Sequence, residues 1–131
     1  MKIKLNHIAL NISDVDEVTD FYQDILGFHL EYQFELPVKL SNSIFGINKS
    51  VPAYFCKNEQ VAFELFVLSV KTNKDVAHIC LEIINREELI KQCINKGYKV
   101  ENIQRDNKPN LLFIWDKSGN CFEIKKDESH D

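Results

Sequence analysis

The segment His7-Ile8-Ala9-Leu10-Asn11-Ile12 recurs later in the chain as His78-Ile79-Cys80-Leu81-Glu82-Ile83, with four of the six positions identical. Each copy is rich in isoleucine and leucine at alternate positions and begins with a histidine, a pattern typical of a short β-strand. Similarity at a fixed spacing is the signature of a repeated structural unit. The sequence therefore predicts two copies of one unit, each opening on this strand.

A helical pattern follows each copy of the strand. The first helix is predicted to begin near Val15 and to end at Gly27. The second is predicted to begin after the capping residue Asn85 and to end at Gly97. The two glycines are spaced almost as the two histidines are, which supports the duplication.

Strand patterns continue after each helix, and the connections 37–49 and 104–110 are predicted to be polar loops. Each half therefore has the order βαβββ, and the fold class is α+β. We expect a single domain over residues 1–131, with modules at about 3–70 and 76–126 that pack together because each exposes an apolar sheet face. The predicted strands are Phe28–Leu36, Val51–Cys56, Val61–Val70, Tyr98–Ile103, Leu111–Trp115 and Cys121–Lys125.

The two repeated histidines are predicted to lie on the sheet face opposite the helices. Side chains alternate between the faces of a strand, so Ile8, Leu10 and Ile12 share the face that packs under the helix. His7 lies on the other face. The same alternation places His78 away from the helix of the second half.

Glu64 is the most informative residue, since it interrupts a strand that is apolar on both faces. Burying a carboxylate there costs several kcal/mol unless a cation, strong hydrogen bonds or a metal ion compensates it. The last strand repeats the pattern, with Glu123 between two large apolar residues.

Two histidines and two glutamates at matching positions of a duplicated unit form a mixed nitrogen and oxygen set, which suits Zn, Ni, Mn, Fe or Co. Each residue also has a purely structural interpretation. Either histidine can be a partly exposed or hydrogen-bonded residue, Glu64 can pair with a buried Lys or Arg, and Glu123 can face solvent beside Lys125.

Composition excludes several classes of protein. The chain has 131 residues, 44% of them hydrophobic, and a net charge of −4 without a basic patch, so neither disorder nor nucleic-acid binding is expected. No apolar run is long enough to span a bilayer, and the N-terminus lacks the pattern of a signal peptide, so a cytoplasmic protein is expected.

Other chemistries lack their motifs. The four glycines form no phosphate loop, and no nucleophile elbow is present. The cysteines form no C-x-x-C pair, so all four are interpreted as buried or half-buried hydrophobic residues rather than zinc ligands or disulfides: Cys56, Cys80, Cys93 and Cys121.

Over about residues 5–126 the chain resembles the vicinal oxygen chelate superfamily, which includes glyoxalase I, extradiol dioxygenases, and the bleomycin and fosfomycin resistance proteins. The residues that carry the resemblance are His7-Ile8-Ala9-Leu10, Phe21-Tyr22, Leu26-Gly27-Phe28, Phe63-Glu64-Leu65, His78-Ile79, and Asp116 through Ser118-Gly119-Asn120 to Phe122-Glu123-Ile124.

The resemblance implies paired βαβββ modules that curl into half-barrels around one divalent metal ion. The glyoxalase I ligand pattern falls on His7, Glu64, His78 and Glu123. The implied activity is that of a metal-dependent lyase or isomerase, acting on a small molecule with adjacent oxygens through an enediolate-type intermediate. Glu123 and Glu64 are the implied catalytic residues, with Glu123 moving the proton.

The chain also departs from the glutathione-using glyoxalases, which carry Arg and Asn where this sequence has Asn11 and Leu68. An activity that is not strictly glutathione-dependent is therefore expected. Two alternatives remain open: a metal-free binding protein of the bleomycin resistance type, and a non-haem iron dioxygenase. The resemblance further implies a homodimer whose only other partner is a small-molecule substrate.

Overall fold

The computed structural model describes residues 5–69 and 78–127. The chain divides into two compact units, Met1–Thr72 and Asn73–Asp131. Each unit contains one four-stranded mixed sheet that does not close into a barrel. The α+β class and the two βαβββ modules predicted from the sequence are thereby confirmed.

The first unit has the strand order β1-β4-β3-β2, with β1 parallel to β4 and the other neighbours antiparallel. A π-helical segment, Val18–Gln23, connects β1 to β2, and a helix, α1, connects β2 to β3. The elements are β1 (Ile8–Ile12), β2 (His29–Leu36), α1 (Val38–Phe45), β3 (Val51–Asn58) and β4 (Val61–Val67).

The second unit repeats this topology, with the order β5-β8-β7-β6 and β5 parallel to β8. Helix α2 connects β5 to β6 and ends before Gly97, whose φ is +78°. The elements are β5 (Ile79–Ile83), α2 (Arg86–Asn95), β6 (Val100–Arg105), β7 (Lys108–Trp115) and β8 (Cys121–Lys126).

The core of the first unit lies between its sheet and the π-helical segment. Phe63 is fully buried, and its ring makes edge-to-face contacts with Tyr22 at 5.8 Å and Phe28 at 5.0 Å between centroids. Leu10 and Ile12 are buried on the same side, while Ala9 before them is exposed and Asn11 between them is half-buried. The predicted alternation of β1 is therefore confirmed.

The helix predicted from Val15 to Gly27 is shorter than expected, and its turns are π-helical rather than α-helical. Its regular part is Val18–Gln23, and the N–H of Leu26 donates to the carbonyl of Phe21, five residues earlier, at 3.0 Å. Such i→i−5 bonds are typical of π-helical turns.

The predicted loop 37–49 contains helix α1, which the sequence analysis missed. Its side chains Ser41 and Phe45 turn inward, and the Phe45 ring meets Phe66 edge-on at 5.1 Å between centroids. The available signals were Pro37 before the helix and Gly46, with φ +70°, after it. An eight-residue helix with Ser and Asn in its interior shows too few periods to be recognised from sequence.

The predicted loop 104–110 is also wrong, because β6 and β7 continue through it as a hairpin. Arg105 pairs with Lys108, leaving only Asp106 and Asn107 in the turn. Asn107 adopts a φ of +59°, which asparagine tolerates better than most residues. Both strand ends are exposed, so they show no apolar alternation in the sequence.

Val70, the predicted end of the last strand of the first half, lies outside the described residues. Within the ranges 5–69 and 78–127, no helix is long and apolar enough to cross a membrane.

Candidate functional site

The first His–Glu pair lies on the open face of the first sheet. Glu64 occupies the middle of β4, paired with Ala9 on one side and Phe55 on the other. His7 precedes β1 and points to the same face, with its Nε2 3.9 Å from Glu64 Oε2. The imidazole is 34% exposed and the carboxylate only 19%, so the acid is the more deeply placed partner.

The second pair repeats this arrangement in the second unit. Glu123 lies in β8 between Cys80 and Phe113, and its Oε1 is 3.3 Å from His78 Nε2. The exposed fractions are 41% for His78 and 14% for Glu123. Both predicted glutamates therefore sit half-buried beside an imidazole.

An aromatic ring holds each imidazole in the same way. His7 contacts Phe55 with 5.7 Å between ring centroids and an interplanar angle of 79°, and His78 contacts Phe113 at 5.7 Å and 78°. In each sheet this phenylalanine is the residue that pairs with the glutamate. The duplication thus extends from strand order to side-chain packing, and both imidazole planes stand perpendicular to a ring.

The orientation of His7 is fixed further by its neighbour Asn6. The Nδ1 of His7 lies 2.7 Å from the Oδ1 of Asn6. An amide oxygen only accepts hydrogen bonds, so Nδ1 carries the proton in this arrangement. Nε2 is then the ring nitrogen on the side of Glu64, where it is placed to act as a metal ligand.

The four predicted ligands therefore fall into two pairs, one in each unit. Among the residues that the structure describes, no three His, Cys, Asp or Glu side chains come together as a complete metal site. Each glutamate has an imidazole as its close partner, not the buried Lys or Arg that was the alternative for Glu64. Imidazole nitrogen with carboxylate oxygen is a donor set that fits Zn, Mn, Ni, Fe or Co.

The interpretation of all four cysteines as buried or half-buried is wrong for Cys80, which is exposed. Cys80 and Cys121 lie on the face that carries His78 and Glu123, where alternation along β5 and β8 places them. Cys56 and Cys93 are buried in the cores of their units, and all four thiols are free.

Burial raises the pKa of the Cys56 and Cys93 thiols to about 11. Burial also raises the pKa of Cys80, and the carboxylate of Glu123 adds to the effect. The pKa of Cys121 is raised chiefly by burial, although the ammonium group of Lys99 opposes the shift.

Two further contacts on these sheet faces were not predicted from the sequence. In the first unit, Tyr32 stacks on Phe55 with 5.0 Å between centroids and an angle of 7°. In the second, the Lys99 ammonium lies 4.3 Å from the centroid of the Trp115 ring. Each of these contacts joins residues on neighbouring segments that are distant in the sequence. The sequence alone does not reveal the register that brings them together.

Comparison with known proteins identifies the family. The model of the Glyoxalase/Bleomycin resistance protein/Dioxygenase superfamily matches residues 4–124. The chain belongs to this superfamily. No curated protein matches its sequence significantly.

Solved structures of the superfamily share this fold at low identity. The fosfomycin resistance protein FosX from Listeria monocytogenes is 16% identical, with a TM-score of 0.73 and coverage of 98% of this chain and 97% of FosX. A glyoxalase family protein from Enterococcus faecalis is 19% identical, with a TM-score of 0.71 and coverage of 92% and 95%. A FosX variant complexed with Mn(II) and dihydroxypropylphosphonic acid is 16% identical, with a TM-score of 0.71 and coverage of 95% and 90%.

The placement of the thiols makes a prediction for chemical labelling. In the folded protein at about pH 8, iodoacetamide should modify Cys80 first, and Cys56 and Cys93 at least about 10-fold more slowly, because they are buried and protonated. Peptide mass spectrometry over time gives the order. A Cys80→Ser control should lose the fast phase, and labelling of Cys56 as fast as Cys80 would contradict the assignment.

Proposed function

We propose that this protein is a metal-dependent, glyoxalase-like lyase or isomerase. Its substrate would be a small molecule with two adjacent oxygens, and its activity would not strictly require glutathione. The observation that carries the proposal is the duplicated His–Glu pair, half-buried and backed by a phenylalanine in each unit.

The two pairs are proposed to act as the four ligands of one divalent metal ion: His7, Glu64, His78 and Glu123. Two ligands alone make a weak site, whereas three or four are usual for a catalytic metal in proteins. Complexes of FosX with Mn(II) show that a member of the superfamily holds such an ion. We also propose a homodimer, in which the two pairs of one site come from the same chain or from different chains.

When bound, a divalent cation would act as a Lewis acid toward two adjacent substrate oxygens and stabilise negative charge that develops on them. The chain's own residues must then move the proton. Glu123 is proposed as the base that takes a proton from the carbon next to these oxygens. The C–H electron pair passes to the neighbouring carbonyl, and Glu123 returns the proton to complete the isomerisation.

The surroundings of Glu123 suit this role. Its carboxylate is 14% exposed and lies in a strand whose neighbours, Phe122 and Ile124, are buried. Glu64, in the equivalent position of the first unit, is proposed to assist as ligand and second acid–base group.

Metal binding gives the first prediction for this function. Wild-type protein dialysed against Zn²⁺ should retain about one equivalent per chain. Glu64→Ala should weaken zinc binding by about 10-fold or more, because even the loss of a residue that only hydrogen-bonds to a ligand lowers metal affinity by that factor. Glu82→Ala is the matched control, because Glu82 is an exposed glutamate on β5. Equilibrium dialysis with metal analysis measures both.

Failure of the wild-type chain to retain metal above about half an equivalent would contradict the proposed site. Equal loss in Glu64→Ala and Glu82→Ala would point to nonspecific binding by surface carboxylates.

Proton transfer gives the second prediction. Hydroxyacetone incubated in D₂O with protein loaded in turn with Zn²⁺, Ni²⁺ and Mn²⁺ should exchange its methylene protons faster than with free metal, as measured by proton NMR after chelation. Glu123→Gln should slow this exchange by about 100-fold or more, within the range found for loss of a general base. Zinc affinity, measured in parallel, should fall by a smaller factor.

No exchange with any loaded form would contradict the enzymatic proposal. Uptake of an aromatic compound with equal affinity before and after chelation would then favour a metal-free binding protein. The exposed Tyr32 ring, stacked on Phe55 beside His7, would offer such a compound a flat surface.

A further inference from the structure

The second unit carries a cation on the same sheet face as its His–Glu pair. The N–H of Trp115 donates to the carbonyl of Lys99 at 3.1 Å, so the two residues lie opposite each other on neighbouring chain segments. Trp115 in turn pairs with Cys121 of β8. Paired residues of neighbouring strands share a face, so Lys99, Trp115 and Cys121 form one row across the sheet.

Glu123 lies one row further along the same face. It pairs with Phe113, and Phe113 pairs with Glu101 of β6. The face therefore presents two rows, one ending at the ammonium group of Lys99 and one ending at the carboxylate of Glu101. An anion on this face is favoured at the first row and repelled at the second.

The charge of Lys99 is held in place without being neutralised. Its ammonium lies 4.3 Å from the centroid of the Trp115 ring, a cation–π contact that orients the side chain and leaves its net charge in full. Lys125, a second lysine on this face, pairs in register with Glu82. Of these two lysines, Lys99 is the one whose cross-strand neighbour is a ring and not an acid.

The separation between Lys99 and Glu123 sets the length of a ligand that can contact both. Two strand spacings, about 10 Å in all, separate the backbones at Lys99 and Cys121, next to Glu123. The lysine side chain covers part of this span by lying over Trp115. A ligand that had its oxygens near Glu123 and its charge near Lys99 would need a short chain or one ring between them.

We propose that Lys99 determines specificity by binding an anionic group of the substrate. The substrate class is then a small molecule that carries two adjacent oxygens at one end and a carboxylate or similar oxyanion at the other, joined by a few atoms. This inference rests on the proposed function, because the adjacent oxygens are those of the proposed metal site.

Two matched probes test the anion-binding role of Lys99 separately from the proposed metal site. Protocatechuate and methylcatechol both present adjacent oxygens on one ring, but only protocatechuate adds a carboxylate across it. Binding to the zinc-loaded protein without oxygen is followed by isothermal titration and by emission of Trp115, the only tryptophan of the chain. Protocatechuate should bind about 10-fold more tightly, as charge-assisted hydrogen bonds allow, and added salt should reduce this preference.

Substitutions locate the anion. Lys99→Met keeps the aliphatic stem on Trp115 but should reduce the preference for protocatechuate to within about two-fold, while methylcatechol affinity stays nearly constant. Lys99→Arg should retain the preference, and circular dichroism verifies that both variants are folded. Lys117→Met is the matched control, because Lys117 also lies over a ring, that of Tyr98 at 5.1 Å. It should behave as wild type.

The following results would overturn the inference. Equal affinity of the wild type for both probes contradicts the role of Lys99 but not the proposed function. A preference for protocatechuate that survives in Lys99→Met does the same. A preference lost instead in Lys125→Met moves the anion to a different residue. Zinc-independent behaviour, or no binding of either probe, contradicts the proposed function and this inference with it.

Discussion

The structure depends on how a strand accommodates a carboxylate among large apolar side chains. Glu64 and Glu123 each occupy the middle of an inner strand, between residues that are buried against the core. Desolvation of such an acid is costly unless a donor or a cation meets it. In both units an imidazole nitrogen is the group beside the acid, at 3.9 Å in one and 3.3 Å in the other, and a bound cation would compensate the buried charge. The parallel pairing of the first and last strands of each unit is what brings them together.

Duplication explains why the sheet faces that carry the two His–Glu pairs resemble each other. The two faces also differ at several positions. Where the first unit has Ala9 beside its glutamate, the second has Cys80. Where the first inserts helix α1 between its second and third strands, the second has a turn of two residues. The first face carries Tyr32 stacked on Phe55, whereas the second carries the ammonium group of Lys99 over Trp115.

Much of the fold was accessible from the sequence, because the internal repeat fixes the order of elements in both halves and alternation fixes the faces of β1 and β5. The pairing of each histidine with its glutamate followed from the same logic. Features set by cross-strand register were not accessible: the stacking of Tyr32, the placement of Lys99 over Trp115, and the exposure of Cys80 each depend on neighbours that are distant in the chain. Helix α1 was not predicted because eight residues show too few helical periods. The β6–β7 hairpin was not predicted because its exposed strand ends have no apolar alternation.

Membership of the superfamily places the protein among folds that serve several chemistries, so the function must be argued from the site itself. The central claim is that the two His–Glu pairs serve one metal ion. X-ray absorption spectroscopy of the zinc-loaded protein counts its ligands most directly. The account predicts about two imidazoles per zinc, with the remaining ligands oxygen and none sulfur. A single imidazole per zinc, or a shell that contains sulfur from Cys80 or Cys121, would contradict it.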